Sequence, residues 1–248
     1  MKACEQEDKG QCALCGTEAW LQRSHLIPKW MYRPTAQEDR SFWSHSSKPG
    51  HKPRKVQQGL WERLLCKRCE AHFSDWERRA KEDVLKIVEM PRQNVHEFVQ
   101  GPDVDQANLN RLGWSIFWRV VVSKHAGSGR CAQEGDFLSS LTSALREGDL
   151  PPRDFPSFLC RFEGSDFASR VVLSPTEIEP VLGMRSFRMV AHGVGWFWTP
   201  SKTRALWSSG EIPWLGWSDQ FWLLNWPGKD DEFEAALTLV AKRHGMLE

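Results

Sequence analysis

Apolar residues recur at helical spacing in three stretches of the chain. Over residues 70–90, Phe73, Trp76, Ala80, Val84, Ile87 and Val88 form one stripe. Pro91 ends it, because proline has no N–H with which to continue the helical ladder. Over about 105–124, Leu112, Ile116, Phe117, Val120 and Val121 share one face, while Arg111, Ser115 and Arg119 share another. A third helix is predicted over about 136–146, on Phe137, Leu138, Leu141 and Leu145. The pattern then changes. Residues 155–164 (FPSFLCRFEG), 169–174 (SRVVLS) and 186–200 (SFRMVAHGVGWFWTP) show the alternation and the β-branched or aromatic content of strands, with Gly193 and Gly195 permitting a bulge or bend. Residues 230–245 read as a closing helix. It has acids in its first turn, Lys242, Arg243 and His244 in its last, Gly245 just beyond, and Phe233, Leu237 and Val240 to dock it.

Pro91, Gly101 and Pro102 make 91–105 a connection, so the expected division is 1–90, a connection at 91–105, and an α+β region at 106–248. A hydrophobic share of 40% and a charged share of 26% describe a globular chain. A net charge of +1 supplies no global field toward nucleic acid or membrane, so any basic site must be local. The charged start, MKACEQEDKGQC, lacks the apolar core of a secretory signal, and no run approaches the roughly 18 apolar residues of a membrane span. A cytoplasmic protein with no membrane partner is the expectation. Seven of the fourteen tryptophans fall between Trp196 and Trp226, and a cluster this dense reads first as core and second as a partner groove.

The cysteines sharpen the picture of the first region. Seven thiols, an odd number, argue against a disulfide framework. Four form two C-x-x-C pairs, Cys12/Cys15 and Cys66/Cys69, and Gly16 allows a tight knuckle after the first. C-x-x-C is a short span that turns two sulfurs toward one metal, and four thiolates suit a structural Zn²⁺. A redox C-x-x-C would need only one such pair at a helix start. Cys4 is a substitute ligand of poorer spacing, and Cys131 and Cys160 read as buried thiols.

Between and beside the pairs stand "SHLIP" at 24–28 and "LLCKRCE" at 64–70. Together, C-x-x-C…SHLIP…LLCKRCE resembles the zinc-stapled HNH nucleases, the ββα-metal or His-Me finger family, over about residues 10–90. The resemblance implies a zinc-stapled, treble-clef-like ββα-metal domain; the rest of the chain, read from its pattern as a mixed helix and antiparallel-strand domain, matches no fold we can name. It implies that His25 ends the first strand of a hairpin and acts as general base, and that Glu70 ligates a catalytic Mg²⁺ or Mn²⁺. Ser24 stands where many relatives have Asp, and Glu70 where Asn or His is usual. Ser24 and Ser74 are therefore candidate accessory ligands, with His72 or Asp75 as helpers. Glu70, Ser74 and Glu77, at i, i+4 and i+7, line one flank of the helix. The reaction implied is metal-dependent hydrolysis of phosphodiester bonds, DNA favoured, in an effector of anti-phage defence whose C-terminal region binds a protein partner.

Residues 40–61 contain no acid and carry Arg40, Lys48, Lys52, Arg54 and Lys55, with Pro49-Gly50 and Pro53 making a loop. Lys48, Lys52, Arg54 and Lys55, joined by Arg23, Lys29 and Arg33 around His25, are candidate phosphate contacts. A solvated charged loop explains the same residues. Likewise, a zinc-stabilised module that binds nucleic acid or protein without catalysis explains the cysteines, and Ser24 in place of Asp favours it.

Overall fold

The computed structural model describes residues 9–36, 38–39, 41–44, 54–91, 97–124, 135–150, 156–162, 172–181, 184–200, 215 and 219–226. The predicted closing helix at 230–245 lies outside them. So do Cys4, Cys131, Lys48, Lys52, Arg40, His45, His51, Trp207, Trp214 and Trp217.

The first region is built on a three-stranded antiparallel sheet. β1 (Lys9–Gln11) and β2 (Glu18–His25) form a hairpin, and β5 (Trp61–Cys66) returns along the other side of β2. β5 runs directly into helix α1 (Lys67–Val88). Between β2 and β5 come a 3₁₀ segment (Lys29–Thr35) and a two-stranded ribbon, β3 (Phe42–Ser44) and β4 (Arg54–Val56). The ends of the basic stretch at 40–61 are thus paired backbone, where proline and glycine alone had suggested a loop. Phe42↔Val56 and Trp43↔Lys55 hold that register.

A register shift between Gln22 and Arg23 places one extra residue, Leu64, in β5. Leu64 and Leu65 are consequently both buried, although they are neighbours on a strand. The shift also re-aims the end of β2, the part that carries Ser24 and His25.

The second region is a six-stranded sheet covered by helices. β6 (Glu97–Gln100), β11 (Trp222–Trp226), β7 (Ser157–Phe162), β10 (Val194–Trp198), β9 (Met184–Ala191) and β8 (Val172–Val181) lie in that order. All neighbours are antiparallel except β11 and β7, which are parallel. β6 falls inside the stretch expected to be a connection. The pairing of Phe98 with Leu224 and of Val99 with Leu223 makes it a strand despite the flanking Gly101 and Pro102. The single run expected at 186–200 is a hairpin. It turns at His192-Gly193, both with positive φ, which matches the twist of the flanking strands.

Helix α2 (Gln106–Val122) is central, and α3 (Gly135–Glu147) flanks it. Asp105 caps α2 by accepting the Asn108 backbone N–H at 2.9 Å. Both faces of α2 recognised in the sequence are largely buried, Ser115 and Arg119 included, with Arg111 and Val121 half-buried. Trp114, Trp118, Trp196 and Trp198 are among the largest fully buried side chains, so these tryptophans are core. Phe73 of α1 meets Trp118 edge-on at 5.9 Å, and Asn108 Nδ2 donates to the Trp76 carbonyl at 3.2 Å. One buried apolar cluster therefore runs from Cys12 through α1 and α2 to Leu223.

Candidate active site

The four cysteines converge. Cys12 and Cys15 sit on the turn after β1, where Gly16 adopts φ +73° and its N–H donates to the Cys12 carbonyl at 2.9 Å. Cys66 ends β5 and Cys69 lies in the first turn of α1. The four sulfurs lie within 4.8 Å of one another. Cys15 Sγ and Cys66 Sγ are 3.9 Å apart. Four thiolates about 2.3 Å from one tetrahedral ion would stand about 3.8 Å apart. The cluster could hold a metal ion such as zinc. The Thr17 hydroxyl, 3.4 Å from Cys15 Sγ, brings that thiol down to about 6, whereas burial raises Cys12 and Cys69. A bound cation would deprotonate all four.

Tying β1, β5 and α1 together at one point fixes the end of β2 against the first turns of α1. Ser24, fully buried, donates to Glu70 Oε2 at 2.6 Å. Burial raises the Glu70 carboxyl above its ordinary range, while the Ser24 hydroxyl and the Arg119 guanidinium oppose that rise. His25 is half-buried and faces Trp61 across the ladder. Burial lowers its imidazole below the usual 6.5, and the positive charges of Lys29, Arg119 and Arg23 act in the same direction, against Glu77.

The chain matches no family model, no curated protein and no solved structure. What these side chains can do is therefore argued from their chemistry alone.

Arg119 is the residue that pattern reading missed. It projects from α2 with only 1% of its side chain exposed. Its Nη1 donates to the His25 carbonyl at 2.6 Å and pairs with Glu77 Oε1 at 2.7 Å, and its Nε donates to the Ser115 carbonyl at 3.2 Å. A continuous set of contacts thus runs from Glu70 through Ser24, the His25 backbone and Arg119 to Glu77. The signal was present as one arginine inside the apolar run IFWRVVV. A cation there must find a buried partner, because isolated burial of charge is too costly.

Other expected members are not drawn in. Ser74 is exposed on the next turn of α1 and makes no hydrogen bond to Ser24, His25 or Glu70. Asp75 pairs with Arg78 and Arg79, and the His72 ring packs on Trp76 at 4.3 Å. Among the described residues, the four cysteines form the one cluster in which three or more His, Cys, Asp or Glu ligand atoms lie within 4.8 Å of each other.

Of the candidate phosphate contacts, Lys29 and Arg33 are exposed on the 3₁₀ segment that follows His25. Arg23 lies over the Trp61 ring at 4.0 Å and donates to Gln58 Oε1 at 2.6 Å. Lys55 is paired with Asp39 at 2.7 Å, an acid just outside the acid-free stretch. Arg54 belongs to β4, opposite Ser44. No helix among the described residues is long and apolar enough to cross a membrane.

Proposed function

We propose that the end of β2 and the start of α1 form an HNH-type hydrolytic site for phosphodiester bonds, with His25 as general base. The observation that carries this is the Ser24–Glu70 hydrogen bond next to His25, held under the four-cysteine cluster. In this reading the cluster holds zinc as a staple, and the chain works on nucleic acid, DNA first, in the cytoplasm.

His25 suits the role because its environment favours the neutral imidazole near pH 7. One ring nitrogen takes a proton from water, whose oxygen attacks the phosphorus as the 3′-oxygen leaves. Arg119 holds the His25 backbone from behind, which fixes where the ring can sit. Ser24 Oγ and the Glu70 carboxylate offer hard oxygens, a set that suits a Mg²⁺ or Mn²⁺ ion otherwise held by water and by the substrate's phosphate. When bound, such an ion supplies charge stabilisation at the phosphoryl oxygens and the leaving oxygen. Lys29 and Arg33 supply exposed positive charge beside the base.

His25→Ala is expected to abolish Mg²⁺- or Mn²⁺-dependent plasmid nicking while zinc content and the unfolding curve stay as in wild type. A wild-type chain that cuts neither DNA nor RNA under those metals, alone or with products of its neighbouring genes, would end the nuclease reading. A second reading is a zinc-stabilised module that binds nucleic acid or protein without catalysis. It draws on the engagement of Glu77 by Arg119, which leaves one carboxylate near Ser24 for a catalytic ion.

A further inference from the structure

Two surface grooves meet at Trp61. One, of about 1020 Å³, is lined by Lys9, Gln11, Leu60, Arg63 and Lys124 among others. The second, of about 590 Å³, is lined by Ser41, Lys55, Gln57 and Gln58. Trp61 lines both. It is 37% exposed and neighbouring Leu60 is 44% exposed, two of the few large apolar side chains that face solvent among the described residues. Arg23 already lies over the indole at 4.0 Å.

The charge of the larger groove is net positive. Lys9, Arg63 and Lys124 face one acid, Glu62, and that carboxylate accepts the Lys124 backbone N–H at 2.8 Å. Among the described residues, neither the Lys9 nor the Lys124 ammonium has an ion-pair partner. The smaller groove adds neutral amides and the Lys55–Asp39 pair. Exposed aromatic surface flanked by lysines matches a strand that offers bases and phosphates together. In a duplex the base faces are already stacked on one another, so an exposed indole would find none to pack against. Trp61 lies directly across the ladder from His25, so their Cβ atoms are about 5 Å apart. A base on Trp61 would bring its own phosphates to the histidine.

We propose that this double groove binds single-stranded nucleic acid, with one unpaired base stacked on Trp61 and the backbone running along Lys9 and Lys124. The proposal deepens the nuclease reading, on which it rests, by naming unpaired strand as the substrate class.

The test uses the full chain carrying His25→Ala, so that binding is read without cutting. A fluorescein-labelled oligothymidylate and a duplex of equal length are titrated by anisotropy over a range of salt. The parent is expected to favour the single strand. Trp61→Ala should weaken that binding about tenfold, within the range of one lost base stack. Trp61→Phe should restore most of it. Lys9→Ala/Lys124→Ala should flatten the salt slope by about 1.4, the share of two phosphates on a single strand. Both lysines are exposed, and circular dichroism checks that each variant keeps its fold.

Equal or tighter binding of the duplex overturns the proposal. So does Trp61→Ala or the lysine pair binding like the parent. Displacement of the oligonucleotide by polyglutamate, with no effect of Trp61→Ala, would mark an acidic-peptide groove and overturn it as well. If single-strand binding behaves as expected but wild type cleaves nothing, the groove stands and the nuclease reading falls. If wild type cleaves but the groove variants bind unchanged, the reverse holds.

Discussion

Replacing Arg119 by methionine removes a buried cation while keeping most of the side-chain volume. The guanidinium is 1% exposed and donates to Glu77, the His25 carbonyl and the Ser115 carbonyl. Without it, the Glu77 carboxylate, 19% exposed, loses its partner. Breaking a buried pair from one side costs about 3–5 kcal/mol, and the partial exposure of Glu77 puts this case near the lower end, about 3 kcal/mol. The bond lost at the His25 carbonyl adds about 1 kcal/mol. A total near 4 kcal/mol is a large part of the stability of a typical domain. At about 2–4 °C per kcal/mol for a chain of this size, the midpoint should fall by roughly 8–16 °C. Urea unfolding with zinc present measures the free-energy change and thermal unfolding the midpoint, both followed by circular dichroism. The cycle with Glu77→Leu isolates the pair. The double variant should recover well over 1 kcal/mol relative to the sum of the singles, since neither charge then remains buried. A cost below about 1 kcal/mol, or strict additivity, would refute the claim that Arg119 is held by Glu77 and in turn holds the end of β2.

On the proposed zinc staple, Cys66→Ser should lower zinc content from the expected one ion per chain and unfold the first region, read by metal analysis and by loss of ellipticity, because metal binding at such a cluster is coupled to folding. Ser24→Ala removes a buried hydroxyl donating to a carboxylate and should cost about 1.5–3 kcal/mol in urea at neutral pH. The cost should shrink on acidification, where Glu70 is protonated and needs that donor less; a pH-independent cost would contradict the Ser24–Glu70 bond. For His25 the folded pKa lies below 6.5, so the unfolded chain takes up its proton first and stability falls as pH drops through about 6.5. His25→Gln should abolish that part of the pH dependence, and under the proposed nuclease reading wild-type nicking should show an acid limb below pH 6.5. Gly113→Ala would place a Cβ 2.7 Å from the Trp196 ring and should cost about 1–3 kcal/mol by thermal melting, a check that the tryptophans form core.

The helices were readable because each carries its own period. The stripe over 70–90 and the pattern over 136–146 correspond to α1 and α3 within a few residues at either end. Glycine marked the His192-Gly193 hairpin only as a bend, since local pattern does not distinguish a turn between two strands from a kink in one. β6 and β11 were not foreseen. Each is a short run whose strand character comes from its partners, Phe98 against Leu224 and Trp226 against Phe162. Proximity of Ser24 to Glu70, 46 residues apart, was legible because the two cysteine pairs announce a shared point in space. Nothing comparable announces Arg119, which lies 94 residues from His25 and reaches it through a helix assigned to another region.

That long-range contact changes what the cysteine cluster accomplishes. The cluster joins the turn after β1, the end of β5 and the start of α1, and neither His25 nor Glu77 belongs to it. The end of β2 is fixed from two sides, by the Ser24–Glu70 bond toward α1 and by Arg119 from α2. Arg119 also carries a positive charge into a place with two carboxylates, Glu70 and Glu77, so one of the two is compensated internally. A site with aspartate in place of Ser24 would hold three acids there and would need a tightly bound cation to be tolerated. With serine and arginine, the folded chain keeps its charges close to balance on its own. Under the proposed hydrolytic reading, a divalent ion would arrive with the phosphate that it neutralises, and its affinity should be low until that phosphate is present.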